Sequence, residues 1–307
     1  MKIAIIGTGG VGGYFGGKLS HAGNDVTFLA RGEHLKAIQA NGLKVQSILG
    51  DFTINPAQAT DQIMQMGASD LIILGLKAWQ VKDIAMELPQ IMHDNTVILP
   101  LQNGVLAGEE LKEHIHPKHI IGGLCRIISK IESPGVINHM GVTPMIVFGE
   151  LDNSKTERVL QLNDLFAKAG IDSKIANDIE AELWRKFISI CVSGLLAVTR
   201  STYGEIREMK ETRQLMIGLF NEIYNLSQKM GIVIEPDFVD KTVSYIDGFS
   251  HEMTSSLTRD VWEGKPSEIE YQNGTVVRLG NKHGVETPIN KFIYECILPM
   301  ENRARKK

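Results

Sequence analysis

Three glycines near the start of the chain, Gly7, Gly9 and Gly12, are spaced G-x-G-x-x-G within IGTGGVGG. That spacing suits one piece of chemistry, the holding of a pyrophosphate against main-chain N–H groups. The first glycine permits a tight turn, the second lets the phosphates approach the backbone, and the third lets a helix pack closely on a strand. Thr8, Gly10 and Val11 complete the turn, and the helix that follows would offer free N–H groups and the positive end of its dipole. The motif alone is weak. Here it follows a strand pattern (KIAII), opens a helical one, and a second strand pattern at residues 25–29 (DVTFL) follows at the expected distance.

The end of that second strand bears on which dinucleotide is bound. A carboxylate about 20 residues beyond the glycines would take the ribose 2′-hydroxyl of NAD(H). The chain instead reads FLARGEH, with Arg31 and no acid at the strand end. A guanidinium pairs with a 2′-phosphate, so NADP(H) is favoured. Glu33 lies close enough to temper that preference, and a solvated surface arginine is the alternative reading.

Further residues with chemical potential follow later strand patterns, at the edge where dinucleotides bind. Lys77 and Gln80 lie in KAWQV, and Asn103 with Gly104 in LQNG, although Asn-Gly is also a favoured turn pair. Lys186 stands in the middle of an apolar helical pattern, WRKFISICV, and Glu268 in PSEIEYQNG. A lysine so placed also serves as a snorkelling surface residue. If the two met at a domain cleft, they would make a proton donor with an orienting partner.

The elements that must position these residues divide the chain in two. Strand patterns at residues 2–6, 25–29, 70–75, 96–100 and 119–122 alternate with amphipathic stretches, which predicts βαβ units and a parallel sheet. Residues 135–139 and 145–149 predict an antiparallel extension, followed by a helix over 154–169 and a short strand over 171–176. One long helix is expected over 178–199, capped by Asp178, then helices at roughly 210–230, 235–247, 251–263, 267–283 and 289–302. The fold class is therefore α/β, with an N-terminal Rossmann domain (1–176) and an all-helical C-terminal domain (177–307).

Composition narrows the partners. The 307 residues carry a formal net charge of -4, which gives no basic face for nucleic acid or membrane. Cys125, Cys191 and Cys296 are scattered without a CxxC pair, the pattern of thiols in a reducing compartment. MKIAIIG is too short an apolar start for a signal peptide, so a cytoplasmic protein is expected. The histidines, His114 and His116 included, form no ligand pattern, and no metal is expected.

Taken together, GTGGVGG, KAWQV, LQNG, WRKF and SSLTRDVWEGKPSEIEYQNG, with the closing HGVETP, resemble the ketopantoate reductases (2-dehydropantoate 2-reductases) over nearly the whole chain. The resemblance implies NADPH-dependent reduction of a small 2-oxo acid, ketopantoate to (R)-pantoate, in pantothenate and coenzyme A biosynthesis. It implies that Gly7, Thr8, Gly9, Gly10, Val11 and Gly12 cradle the pyrophosphate and that Arg31 meets the 2′-phosphate. Lys77, Gln80 and Asn103 would border the cofactor, with Asn103 also near substrate. Lys186 matches the catalytic lysine, Glu268 the glutamate that holds substrate hydroxyl and lysine, and Ser256 a serine on the substrate carboxylate.

Three positions depart from the pattern. Ile190, Gly194 and Tyr203 stand where well-studied members have asparagines, which removes amide contacts from the substrate side. A paralogous reductase of another oxo acid, or a non-catalytic NADP(H)-responsive regulator, are the competing readings. A homodimer through the helical domain is left open.

Overall fold

Strands whose side chains are apolar on both faces must be covered on both faces, and the first half of the chain meets that demand with a central parallel sheet. A computed structural model describes residues 1–306. Its chain divides into two compact units, one of Met1–Gln102 with Leu106–Ile179, the other of Asn103–Val105 with the residues from Glu180 onward.

In the first unit the sheet contains β1 (Lys2–Ile6), β2 (Asp25–Leu29), β5 (Gln58–Thr60), β6 (Leu71–Leu74) and β7 (Val97–Pro100). Their order is β5-β2-β1-β6-β7, all parallel. Strand β1 lies at the centre, with Ile3 beside both Val26 and Leu71. Between them run α1 (Gly10–His21), α2 (Gly32–Asn41), α3 (Val81–Glu87) and α4 (Ala107–Lys112). Ile3, Ile5 and Phe28 enter one core with Phe15 and Leu19 of α1, while Ala4, Ile6 and Ile72 enter another with Val81 and Leu111. That is a Rossmann arrangement.

A second sheet leans on the same unit. It orders β10 (Asp172–Ile175), β9 (Val136–Glu150), β3 (Leu43–Ser47) and β4 (Phe52–Ile54), with β8 (Ile121–Ser133) paired to β9. The expected strands 135–139 and 145–149 are the two ends of β9, one continuous strand of 15 residues. It is antiparallel to β8 but parallel to β3 and β10. The strand expected at 119–122 becomes the start of β8 and is joined to the central sheet by an isolated parallel bridge between Ile98 and Ile120. Helix α5 (Glu157–Lys168) covers this sheet, with Phe166 edge-on to Phe148 at 5.4 Å. Strands β3, β4 and β5 were not expected, because each has three to five residues with polar ones interspersed.

The second unit is helical: α6 (Ile179–Ile190), α7 (Val192–Thr199), α8 (Tyr203–Glu208), α9 (Lys210–Lys229), α10 (Phe238–Asp247), α11 (Ser256–Trp262), α12 (Asn273–His283) and α13 (Pro288–Ala304). Trp184, Phe187 and Phe220 anchor its core. The single helix expected over 178–199 is broken at Cys191 into α6 and α7, for a reason given below. The first N–H of α6, from Ile179, donates to Asn153 Oδ1 at 2.9 Å. The segments expected as helix at 251–255 and 267–272 are instead a turn with an irregular approach to α11 and a short 3-10 turn, with Ser255 Oγ capping α11 through the Thr258 N–H.

Gly12 shows how tightly this fold depends on one small residue. A Cβ there would lie 2.1 Å from the Gly7 carbonyl oxygen and 2.9 Å from Ile5 Cγ2. Gly12→Ala should lower stability by about 1–3 kcal/mol through overpacking, read as a reduced urea midpoint with an unchanged slope.

Candidate active site

The glycine turn is built by close approach of main chain to main chain. Gly7 takes φ +94°, and a Cβ on it would press on Leu76 N at 2.8 Å. At Gly10 a Cβ would meet Ser129 O at 2.4 Å. Thr8 ties the turn to the end of β2, since its N–H and its Oγ1 both donate to Leu29 O, at 3.1 and 2.9 Å. Gly9 occupies the N-cap of α1, which has no side-chain cap and no acid in its first turn. An uncapped helix end on a glycine turn packed this closely fits a dinucleotide pyrophosphate.

Arg31 lies at the N-cap of α2 and is exposed, two residues beyond β2. Glu33, the acid that tempers the cofactor preference, is ion-paired with Lys36 at 2.7 Å. His34 accepts the Gly135 N–H on Nδ1 at 3.0 Å, and burial holds its pKa below the ordinary imidazole value, partly offset by the Thr8 backbone. Downstream of β6, Gln80 Oε1 accepts the Lys77 N–H at 3.2 Å and so caps the turn Ala78–Gln80, while Lys77 Nζ stands 5.7 Å from the Trp79 ring centre.

Gln102 escapes a reading by motif. It is only 6% exposed, and its Nε2 donates to Leu74 O at 2.9 Å and Leu76 O at 3.2 Å. Leu76 is the residue that lies against Gly7, so Gln102 fastens the floor under the glycine turn. The available signal was a polar residue directly after an apolar strand, one place ahead of Asn103.

In the helical unit two of the expected residues meet. Asn103 Nδ2 donates to Glu268 Oε2 at 3.3 Å, and Glu268 is 4% exposed. Gly104, with φ +106°, packs on Tyr271 O, where a Cβ would come within 3.0 Å. Asn103 thus belongs by its contacts with the element carrying Glu268, although it follows β7 in the chain.

Lys186 lies half-buried on α6, its carbonyl accepting from Ser189 Oγ at 2.8 Å. Ile190, one turn on, shares its helix face. Arg185, the neighbour that made the orientation ambiguous, is turned to Glu235, with Nη2 2.9 Å from Oε2. Ser256 is exposed at the start of α11, beside the capping Ser255.

The other departures are filled by packing. Tyr203 is buried edge-on to Phe249 at 5.0 Å; burial pushes its phenol up to about 12, with a hydrogen bond to Ser193 partly offsetting. Gly194 lies against the Asn273 side chain, whose Oδ1 would be 2.4 Å from any Cβ. No group of three or more metal-ligating side chains occurs among the described residues, and none of their helices is long and apolar enough to cross a membrane.

Comparison with known proteins places these features in one family. Residues 3–153 match the model of ketopantoate reductase PanE/ApbA, and residues 178–301 match the model of its C-terminal part. A 2-dehydropantoate 2-reductase from Nostoc is 32% identical, covering 99% of this chain and 96% of that protein. An uncharacterized oxidoreductase from Bacillus subtilis, YkpB, is 28% identical over 96% of this chain and 97% of its own. The crystal structure of 2-dehydropantoate 2-reductase from Geobacter metallireducens superposes with a TM-score of 0.91 at 30% identity, covering 97% of this chain and 99% of that one. The chain is a member of the ketopantoate reductase PanE/ApbA family and a 2-dehydropantoate 2-reductase-like oxidoreductase.

Proposed function

We propose that this protein reduces 2-dehydropantoate to (R)-pantoate with NADPH, a step of pantothenate and coenzyme A biosynthesis. The observation that carries the reading is the buried Glu268 carboxylate, paired to Asn103 in the same helical unit as Lys186. The names of the Nostoc and Geobacter relatives support the substrate. Residues 1–176 take the cofactor role in this reading, and residues 177–307 the substrate and catalytic role.

The glycine turn and the end of α1 would hold the pyrophosphate, with Arg31 on the 2′-phosphate and Lys77 and Gln80 bordering the cofactor. Bound NADPH supplies a hydride for the keto carbon. The Lys186 ammonium hydrogen-bonds the keto oxygen and gives it a proton as negative charge grows there, an interaction stronger in the transition state than in the ground state. Lys186 ends neutral and regains its proton from solvent. Glu268 holds the ammonium and a substrate hydroxyl, Asn103 orients Glu268, and Ser256 receives the substrate carboxylate.

A second reading, reduction of a different 2-oxo acid, is favoured by Ile190, which places an apolar side chain one turn from Lys186. Comparing kcat/KM across a panel of 2-oxo acids separates the two. Ketopantoate should lead the panel, and a better acid with an apolar substituent would move the assignment.

Three substitutions test the roles. Lys186→Ala should lower kcat by about 10²–10⁴-fold and leave the Kd for NADPH, followed by nucleotide fluorescence, within twofold. Arg31→Ala should raise KM for NADPH about tenfold, the loss of one charge-assisted contact, while KM for NADH barely moves. Asn103→Ala leaves the Glu268 carboxylate without its amide donor, and kcat/KM for the acid should fall about 10- to 100-fold. Unchanged turnover in Lys186→Ala would refute the proton-donor role.

A further inference from the structure

The helix carrying Lys186 stops at Ile190, and a second one starts at Val192, with no proline between them. A helix interrupted without proline needs another cause, such as a side chain inserted into its hydrogen-bond ladder. Asn273 supplies it. Its Nδ2 donates to Cys191 O at 3.1 Å, and inside the turn the same carbonyl takes the Gly194 N–H at 3.3 Å.

The orientation of the Asn273 amide is dictated by its surroundings. The second proton of Nδ2 goes to Asn290 Oδ1 at 2.9 Å, and both partners are acceptors. Asn290 is fixed in turn, because its Nδ2 donates to Leu219 O at 3.3 Å and to Glu222 Oε2 at 2.7 Å. Glu222 also receives the N–H groups of Ile289 and Asn290, at 2.8 and 3.0 Å. Asn273 and Asn290 are both wholly buried. The chain from Glu222 through Asn290 and Asn273 to Cys191 therefore links α9, α13, α12 and the α6–α7 break by hydrogen bonds with little freedom.

Two details make the link specific to this place. Asn273 Oδ1 is buried and accepts no hydrogen bond, and it rests where a side chain at 194 would begin. Only glycine at 194 lets the amide come this close. Asn273 also follows Glu268 by five residues, through the short turn Ile269–Tyr271. One side chain thus connects the end of the lysine helix to the segment that carries the buried glutamate.

We infer that Asn273, seated on Gly194, is a positioning residue that sets Lys186 relative to Glu268 by fixing the break between α6 and α7. The inference rests on the role given above to Lys186. Proton transfer to a keto oxygen is sensitive to sub-ångström placement, and an error of about 1 Å can cost about 10²-fold.

The experiment compares Asn273→Ala, Gly194→Ala and the double variant in the intact protein, using NADPH and the 2-oxo acid that wild type reduces best. Each single variant should lower kcat about 10- to 100-fold and leave the Kd for NADPH within twofold. Amide hydrogen exchange over residues 191–195 should quicken in Asn273→Ala, a readout independent of turnover. In the double variant the alanine methyl enters the space left by the amide, so the melting temperature should recover while kcat stays low. Recovery of kcat together with the melting temperature, or kcat within twofold of wild type in Asn273→Ala, would overturn the inference and leave a packing role. If Asn273→Ala does not fold, Asn273→Ser and Gly194→Ala carry the same comparison. Lys186→Ala, run in parallel, distinguishes the failures. Full activity there removes the lysine role and Asn273's with it. An inactive Lys186→Ala beside a fully active Asn273→Ala removes only Asn273's.

Discussion

Gly7, Gly12 and Gly75 bring three stretches of main chain closer together than any side chain allows, and the first unit is organised around that crossing. A Cβ on Gly12 would overlap the Gly7 carbonyl, and one on Gly75 would lie 2.7 Å from Gly12 N and Cα. Because α1 can settle so deeply on β1 and the end of β6, its N-terminus opens at the carboxyl edge of the sheet with its N–H groups uncapped. Thr8, held to Leu29, and Gln102, held to Leu74 and Leu76, keep the three stretches in register. Side chains there maintain the frame, and the surface at the uncapped helix end is backbone.

The helical unit is governed by a different constraint, the cost of polar groups placed where water cannot reach. Glu268, Asn273, Asn290 and Glu301 are all at most 5% exposed, and each has named partners or belongs to a connected network. A buried carboxylate stripped of its partner is costly, so these groups fix the relations between helices more sharply than apolar packing does. Glu301, for example, takes the N–H and hydroxyl of Ser267, at 3.0 and 2.7 Å through Oε2, and so steadies the residue just before Glu268.

Much of the first unit was legible in the sequence because its strands are apolar on both faces and its glycines recur at a mechanically required spacing. Strands β3, β4 and β5 were not legible, since three to five mixed residues carry no periodicity and their pairing partners lie far along the chain. The break at Cys191 was invisible for a related reason. Residues 178–199 follow one helical pattern apart from the interior Gly194, and the hydrogen bond to the Cys191 carbonyl comes from Asn273, 82 residues away. Of the site residues, Asn103 and Glu268 were identifiable singly, but their meeting at 3.3 Å follows only from the tertiary placement of residues 103–105 with the helical unit. Gln102 was overlooked beside its neighbour.

This division between backbone and side chains bears on what can change as sequences diverge. A helix end that exposes main-chain N–H groups is left in place by any substitution that respects the glycines beneath it. Recognition of a small acid rests on individual side chains, where one change alters a hydrogen bond outright. Here Ile190 shares a helix face with Lys186, Gly194 is filled by the Asn273 amide, and Tyr203 buries its hydroxyl on Ser193. None of the three carries an amide, while Glu268 and Asn103 keep their contact. The reducing chemistry is consequently the more robust property of this chain, and the choice of acid is the property on which its own residues exert the greater control.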